Sequence, residues 1–196
     1  QMVISDLAES QAYHPIRDYL QECEKQYDGE FDLESLASRY LGNSTPIAQV
    51  MVKKFLLGAA ERVLSPGCQM DASLILQGKQ GVGKSSFFRV LAGDDWFSDS
   101  MGSIEGKDDL MQAHSSWFNE WAELECLFSR SDVSKVKSFL TARVDRFRTP
   151  YAREITKNPR QFVVVGSTNN TDFLRDPTGA RRFWIVECGK KVDLDL

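Results

Sequence analysis

The sequence predicts an α/β domain with a central, mostly parallel β-sheet flanked by helices. Two stretches carry this prediction. Residues 162–166 form a continuous apolar and mainly β-branched run, typical of a strand buried on both faces at the centre of a parallel sheet. Residues 73–76 form a second short apolar run, and a glycine-rich segment leads from it into the helical spacing of residues 86–92. A strand, a loop and a helix in this order are one step of a parallel α/β fold.

The glycine-rich segment, residues 78–85, fits the pattern G-x-x-x-x-G-K-[ST] at every position. Glycines let the backbone curl so that successive N–H groups face a phosphate, and the next helix adds its free N–H groups. Lys84 brings positive charge to the β- and γ-phosphates, and the Ser85 hydroxyl can bind Mg²⁺. The alternative, a glycine-rich turn without a ligand, is disfavoured because both flanks also match. The sequence therefore predicts a P-loop NTPase that binds ATP and Mg²⁺ through Gly78, Gln80, Gly81, Val82, Gly83, Lys84, Ser85 and Ser86.

Composition places the chain among ordinary globular proteins. Of its 196 residues, 42% are hydrophobic and 27% charged, and no apolar run reaches the length of a membrane span. The start lacks the apolar core of a signal peptide, so we expect a cytoplasmic protein with no membrane partner. Because the first residue is Gln1, we expect a fragment of a longer protein. The four cysteines show no C-x-x-C spacing, which argues against zinc and against a disulfide framework.

The first third of the chain reads as helical. Residues 15–26 have helical apolar spacing, Asp32 can cap a second helix, and Thr45-Pro46 opens a long one. The apolar side of that long helix is expected to consist of Ile47, Val50, Met51, Phe55, Ala59 and Val63. We therefore expect an N-terminal helical region, residues 1–68, before an ATPase core, residues 69–196, whose C-terminal part is truncated.

ATP hydrolysis also needs carboxylates near the metal. Glu120 follows the strand-like residues 117–119, and Glu123 lies three positions on. Both would lie at the site if that strand neighbours the strand of residues 73–76. The alternative is that one or both are surface glutamates.

Two further polar groups follow or precede strands. Asn169 ends the strand around residues 163–168, where its amide can contact a phosphate and the attacking water, although asparagine is also favoured wherever a chain turns. Arg181 and Arg182 precede the last strand. One of them can supply a guanidinium to the γ-phosphate, commonly from an adjacent subunit, or both can cover the sheet surface.

Residues 131–160 carry eight basic and three acidic residues, a net charge of +5 in a chain of net charge −4. This block is a candidate anion-binding surface, and a solvated face without a partner is the alternative. Residues 144–148 and 153–156 read as two strands around a tight turn.

Longer strings support a more specific interpretation. They include residues 14–20, 91–99, 120–124, 145–151, 166–169 and 173–184, besides the 78–85 loop. Through them the chain resembles the virulence-associated E family, a group of superfamily 3 helicase-like AAA+ ATPases of phages and integrated mobile elements.

The resemblance implies an ATP-hydrolysing motor in DNA replication of the element, a ring-forming helicase or translocase. It implies a homo-oligomer, typically a hexamer, around single-stranded or forked DNA, with a primase domain in the same polypeptide. Glu120 then takes the metal role beside Ser85, Asn169 is the sensor, and Arg181 or Arg182 is the arginine finger. One departure is that Asn119-Glu120 stands where many AAA+ enzymes have Asp-Glu, which leaves the roles of Glu120 and Glu123 open.

The strands around residues 149–152 resemble the hairpin that such helicases point into a central channel. Lysine and arginine contact phosphates without reading sequence, and an aromatic ring can stack on a base. The expected DNA-binding residues are Arg153, Tyr151, Arg148 and Lys137.

Two other classes share the nucleotide motif. A phosphotransferase would need an acceptor pocket and a lid, neither of which the sequence clearly contains. A switch or scaffold would bind ATP without unwinding activity. A GTPase is disfavoured because the guanine signature Asn-Lys-x-Asp does not occur.

Overall fold

A computed structural model of the chain describes residues 14–101, 106–122, 124, 133–148, 154–170, 180–189 and 191–194. The chain divides into two compact units, Gln1–Phe31 and Asp32–Leu196. The first contains helix α1, Pro15–Gln26. Its start is fixed by Pro15, whose missing N–H is no loss there, and by the His14 ring, which accepts a hydrogen bond from the Arg17 N–H at 3.1 Å.

Helices α2, Leu36–Leu41, and α3, Pro46–Leu64, open the second unit. The expectation that Asp32 caps α2 is wrong. Its carboxylate accepts instead from the Glu34 N–H at 2.9 Å, in a turn that precedes the helix. The predicted apolar side of α3 is confirmed in part, because Phe55, Ala59 and Val63 are buried. It is wrong at Ile47 and Val50, which are 60% and 43% exposed.

The core of the second unit is a five-stranded sheet in the order β2-β3-β6-β1-β7, and each neighbouring pair is parallel. Its strands are β1 (Ser73–Gln77), β2 (Phe97–Ser98), β3 (Phe118–Trp121), β6 (Val163–Thr168) and β7 (Phe183–Glu187), and the two intervening strands form a separate hairpin. Helices α4 (Lys84–Ala92), α5 (Lys107–Ala113) and α6 (Val133–Thr141) lie between strands along the chain. The predicted α/β architecture, a central parallel sheet with helices, is confirmed.

Strand β6 lies between β1 and β3. Val165 of β6 is in register with Leu74 of β1 on one side and with Glu120 of β3 on the other. The condition that β3 neighbours β1 is therefore not met, and Glu120 lies inside β3 instead of after it. The carboxyl ends of three adjacent parallel strands still meet at one edge of the sheet, which is where such folds place ligands.

Gly166, inside strand β6, lies close to two side chains of the core. A Cβ on Gly166 would lie 2.6 Å from a Leu124 methyl and 2.9 Å from an Ile75 methyl. Both neighbours belong to the buried core, with Trp121, Phe139 and Phe162. Because packed cores have little free volume, a larger side chain at this position would force those two side chains to move.

Strands β4 (Val144–Phe147) and β5 (Thr156–Pro159) form a separate antiparallel hairpin. The second strand begins later than predicted, at Thr156 instead of residue 153. The turn predicted at residues 149–152 lies outside the described residues, as do the predicted DNA contacts Tyr151 and Arg153. Among the helices that the structure describes, none combines the length and the apolar character needed to cross a membrane.

Candidate functional site

The 78–85 loop joins β1 to α4 through two glycines with left-handed backbone. Gly81 has φ of +80° and Gly83 of +99°, a conformation that side-chain-bearing residues rarely adopt. A Cβ on Gly83 would also approach Val192 to 3.3 Å. The Val192 N–H donates to the Val82 carbonyl at 2.8 Å, so the segment after β7 is fastened to the loop.

The Lys84 ammonium is buried inside this loop, with only 8% of the residue exposed. It donates to the carbonyl oxygens of Gly78 and Lys79 at 2.7 and 2.9 Å, and to Oδ1 of Asn169 at 2.7 Å. Asn169 directly follows β6, the neighbour of β1. The lysine charge is thus held where the first residues of the loop meet the end of the central strand.

The Ser85 hydroxyl donates to Oε1 of Glu120 at 2.8 Å. Glu120 has no exposed surface, and its Oε2 is buried without a hydrogen-bond partner among the described residues. Burial raises the pKa of Glu120, and hydrogen bonds from Ser167 and Ser85 oppose this rise only in part. A buried carboxylate with one unused oxygen is poised for a cation.

The oxygen donors present suit Mg²⁺ bound to a phosphate ligand. Mg²⁺ is commonly held by one or two protein oxygens while phosphates and waters complete its shell. Ser85 and Glu120 supply such a hydroxyl and carboxylate. Within the described part of the chain, no cluster of three or more His, Cys, Asp or Glu side chains could hold a metal alone.

These side chains border a cavity of about 360 Å³. Its lining consists of Gln80, Gly81, Gly83, Lys84, Ser85, Ser86, Ala122, Ser167 and Asn169. Sequence reasoning missed Ala122 and Ser167. Strand β6 extends to Thr168, and its last two residues, Ser167 and Thr168, are polar. These polar residues at the end of an apolar run were the sequence signal that could have identified Ser167.

A second cavity, of about 570 Å³, adjoins the same loop and shares Asn169 with the first. Its other walls come from Gln77, Gly78, Lys79, Val82, Glu187, Cys188, Gly189 and Lys191. Burial raises the pKa of the Cys188 thiol to about 11, so Cys188 contributes a protonated, uncharged side chain to the cavity wall. The residues after β7 were also missed, because loop segments carry no periodicity to mark them.

Asn119 faces away from the loop. Its amide nitrogen donates to the Ala113 carbonyl at 3.0 Å, on the α5 side of β3. Successive strand residues point to opposite faces, and Glu120 takes the face toward Ser85. Asn119 therefore does not contribute a side chain to the loop site at the position where the Asp-Glu pattern has aspartate. Glu123 lies outside the described residues.

The predicted arginines do not join this site within one chain. Arg181 and Arg182 precede the start of β7, which runs parallel to β1. The loop follows the opposite, carboxyl end of β1, and five strand residues separate the two edges by roughly 16 Å.

The basic segment is less exposed than its composition suggests. Arg160 is only 3% exposed and pairs with Asp145, so its inclusion in an anion-binding surface is wrong. Arg148 is exposed and Lys137 is half-buried. The structure brings neither of them to the cavities of the 78–85 loop.

Comparison with known families identifies the family of this chain. Residues 20–196 match the virulence-associated protein E-like domain. The chain belongs to this family. No curated protein matches the chain.

Solved structures resemble this virulence-associated protein E-like domain in fold. Two apo structures of the NrS-1 C-terminal region, residues 305–718, align with TM-scores of 0.53 and 0.55 at 13% identity, covering 81% of this chain. A third NrS-1 C-terminal structure aligns with a TM-score of 0.55 at 15% identity over 84% of this chain. At such identity the likeness shows the fold alone. The chain spans only 37–38% of the length of those structures.

Proposed function

We propose that this chain is the ATP-hydrolysing motor of a phage or mobile-element replication protein, acting on DNA as a helicase or translocase. The observation that carries the proposal is the convergence of four side chains on one cavity at the carboxyl edge of the sheet. Lys84, Ser85 and Asn169 line that cavity, and Glu120 bonds Ser85. Membership in the family and the likeness to NrS-1 support it.

The proposal assigns the chain to the P-loop NTPases and, within them, to the superfamily 3 helicase-like AAA+ group. The 360 Å³ cavity takes the phosphates, and the adjoining 570 Å³ cavity has room for the nucleoside. Phosphate oxygens would replace the Gly78 and Lys79 carbonyls as acceptors for the Lys84 ammonium. Charged acceptors make stronger hydrogen bonds than carbonyls, so the exchange favours binding.

Ser85 and Glu120 would hold Mg²⁺, which neutralises charge on the phosphates when it is bound. The Asn169 amide, released from Lys84, would orient the terminal phosphate and the attacking water. Glu120 or Glu123 would accept the proton of that water. These groups provide the positioning and electrostatic stabilisation on which phosphoryl transfer depends.

Arg181 and Arg182 act in this proposal on the site of an adjacent subunit. Their position at the opposite edge of the sheet from the 78–85 loop supports action between subunits over action within one chain. A homo-oligomeric ring, a hexamer as in similar motors, would bring this edge to the neighbouring nucleotide. The arginine charge would then stabilise the transition state only after assembly.

The β4–β5 hairpin would track single-stranded or forked DNA through its basic residues, with Arg153 and Tyr151 at the tip and Arg148 and Lys137 nearby. If so, Arg153→Ala lowers affinity for single-stranded DNA and reduces the slope of its salt dependence by about one. Unchanged affinity and slope would remove the hairpin from the account. A primase domain elsewhere in the same polypeptide would supply primers to such a motor.

Steady-state ATP hydrolysis with and without single-stranded DNA tests the proposal. The wild-type chain should hydrolyse ATP only with Mg²⁺ and faster with DNA. Lys84→Ala should lose all activity, while Lys54→Ala, which removes an exposed lysine of α3, should keep it. Phosphate transfer to a metabolite would favour a phosphotransferase instead, and binding without turnover would favour a switch or scaffold.

A further inference from the structure

The root of the β4–β5 hairpin is closed by a buried ion pair. Asp145 lies in β4 and Arg160 directly follows β5. The Arg160 Nε and Nη2 atoms donate to the two Asp145 oxygens at 2.7 and 2.8 Å. The guanidinium also lies 4.2 Å from the ring centre of Phe139 on α6. A bidentate ion pair of this kind fixes the direction in which the two strands leave the core.

His114 ties this ion pair to α5. Its Nε2 lies 2.9 Å from Oδ2 of Asp145, the oxygen that Arg160 Nε also contacts. The imidazole packs edge-on against Phe147 of β4 and Phe162, with ring centres 5.3 and 5.1 Å away. His114 immediately follows the last residue of α5. Any shift of that helix end therefore reaches the hairpin root.

Asn119 ties the same helix end to the nucleotide side of the sheet. It is fully buried and donates to the carbonyl of Ala113, the residue before His114. Its neighbour Glu120 is bonded to Ser85 on the opposite face of β3. Two consecutive residues thus link β3 to the 78–85 loop and to the end of α5.

We propose that Asn119 and His114 are positioning residues that couple the state of the nucleotide site to the hairpin root. The coupling rests on the proposed function. Ligand binding at Ser85 would change the Ser85–Glu120 hydrogen bond and shift the end of β3. Asn119 would pass that shift to Ala113, and His114 would pass it to Asp145. A buried ion pair tolerates two discrete arrangements better than a gradual stretch, since an unpaired buried charge is unfavourable.

The residue type at position 119 agrees with this role. The Ala113 carbonyl accepts from the Ser116 N–H at 3.4 Å, and the Asn119 amide adds a shorter bond at 3.0 Å, which an ionised aspartate could not donate. The Asn119 Oδ1 is buried without a partner among the described residues, so the Nδ2 bond is the contact that orients this side chain. The departure from Asp-Glu thereby has a structural reason.

The test compares affinity for single-stranded DNA with a nonhydrolysable ATP analogue and with ADP. Asn119→Leu removes the donor at nearly constant volume, and His114→Phe removes the Asp145 contact while keeping an aromatic ring. Both should bring the ratio of the two affinities close to one, from about fivefold or more in the wild type. Basal hydrolysis without DNA should stay within about threefold. Asp108→Asn, an exposed change on α5, should keep the wild-type ratio.

Retention of the wild-type ratio in a folded Asn119→Leu or His114→Phe protein overturns the coupling but leaves the motor function standing. If the wild-type chain binds single-stranded DNA equally well with the ATP analogue and with ADP, the coupling is overturned too. Absence of hydrolysis overturns the proposed function. The two variants act on different contacts, so one that folds by circular dichroism is sufficient.

Discussion

The Lys84 ammonium donates a hydrogen bond of 2.7 Å to the side-chain oxygen of Asn169, which is 85 positions away in the sequence. The bond joins the start of α4 to the end of β6. Both residues line the cavity of about 360 Å³.

Asn169→Ala should slow hydrolysis more than it weakens ATP binding. The amide would act mainly on the water and terminal phosphate, and loss of one such aligned group lowers kcat by roughly 10²-fold. KM should change by no more than about threefold. Asn170→Ala is the matched control and should retain near-wild-type kcat. If kcat and KM changed by the same factors in both variants, the assignment of Asn169 as the sensor would be contradicted.

Glu120→Gln should make the metal-free protein more stable at pH 7 while abolishing hydrolysis. Burial raises the folded-state pKa of Glu120 above 4.5, so the folded protein binds this proton more tightly than the unfolded chain. Stability is therefore lost as pH rises past 4.5, and glutamine avoids that loss. Thermal unfolding should show a higher Tm for the variant at pH 7 and a difference that shrinks as the pH falls toward 4.5.

The exposed change Glu61→Gln on α3 serves as the control and should leave Tm unchanged at both pH values. A Glu120→Gln protein that melts below the wild type at pH 7 would show that the carboxylate stabilises the empty site.

Asp145→Asn should destabilise the second unit by about 3 kcal/mol at pH 7, because it leaves the Arg160 charge buried and unpaired. Burial opposes ionisation, but hydrogen bonds from His114 and Arg160 lower the pKa of Asp145 to about 2. The stability that its charge supplies is complete above the ordinary value of 3.8 and is lost as pH falls toward 2. Urea unfolding should therefore show a difference that narrows below pH 3.8.

The exposed Asp95→Asn variant should match the wild type in the same urea experiment. A difference for Asp145→Asn that stays constant down to pH 2 would mean that the ion pair does not supply the stability.

Gly83→Ala should be more harmful than Gly81→Ala. Both glycines have positive φ, which costs about 1–2 kcal/mol for a residue with a Cβ. A Cβ at Gly81 meets no atom within 4 Å, but one at Gly83 meets Val192 at 3.3 Å. Gly83→Ala should lose about 1 kcal/mol more in urea unfolding and most of its ATP affinity. Equal losses in both variants would contradict the tight contact.

Local patterns were sufficient for the parts of the site that lie close together in sequence. The glycines, Lys84 and Ser85 form one short motif, and Glu120 and Asn169 follow strand-like runs. The order of the strands was not accessible, because β6 enters between β1 and β3 after a long excursion of the chain and no periodicity records which strands pair. The mistaken start of α2 has a different cause, because aspartate stabilises local turns as well as helix ends, and Asp32 forms such a turn.

Arg160 shows why charge composition alone does not predict a basic surface. Composition counted it in a basic surface, yet Asp145, 15 positions away, pairs with it in the core. Pairing of this kind depends on strand register, with Asp145 opposite Asn158, and not on local sequence. The Asn119–Ala113 contact likewise appeared only when β3 and α5 were seen together.

The central claim is that the 78–85 loop holds the phosphates of ATP with Mg²⁺. Calorimetric titration of a nonhydrolysable ATP analogue with Mg²⁺ into the wild-type chain and Lys84→Ala tests it most directly. We expect saturable one-to-one binding by the wild type and an affinity reduced by about tenfold or more in Lys84→Ala. Equal affinity in the two proteins, or no binding by the wild type, would contradict it.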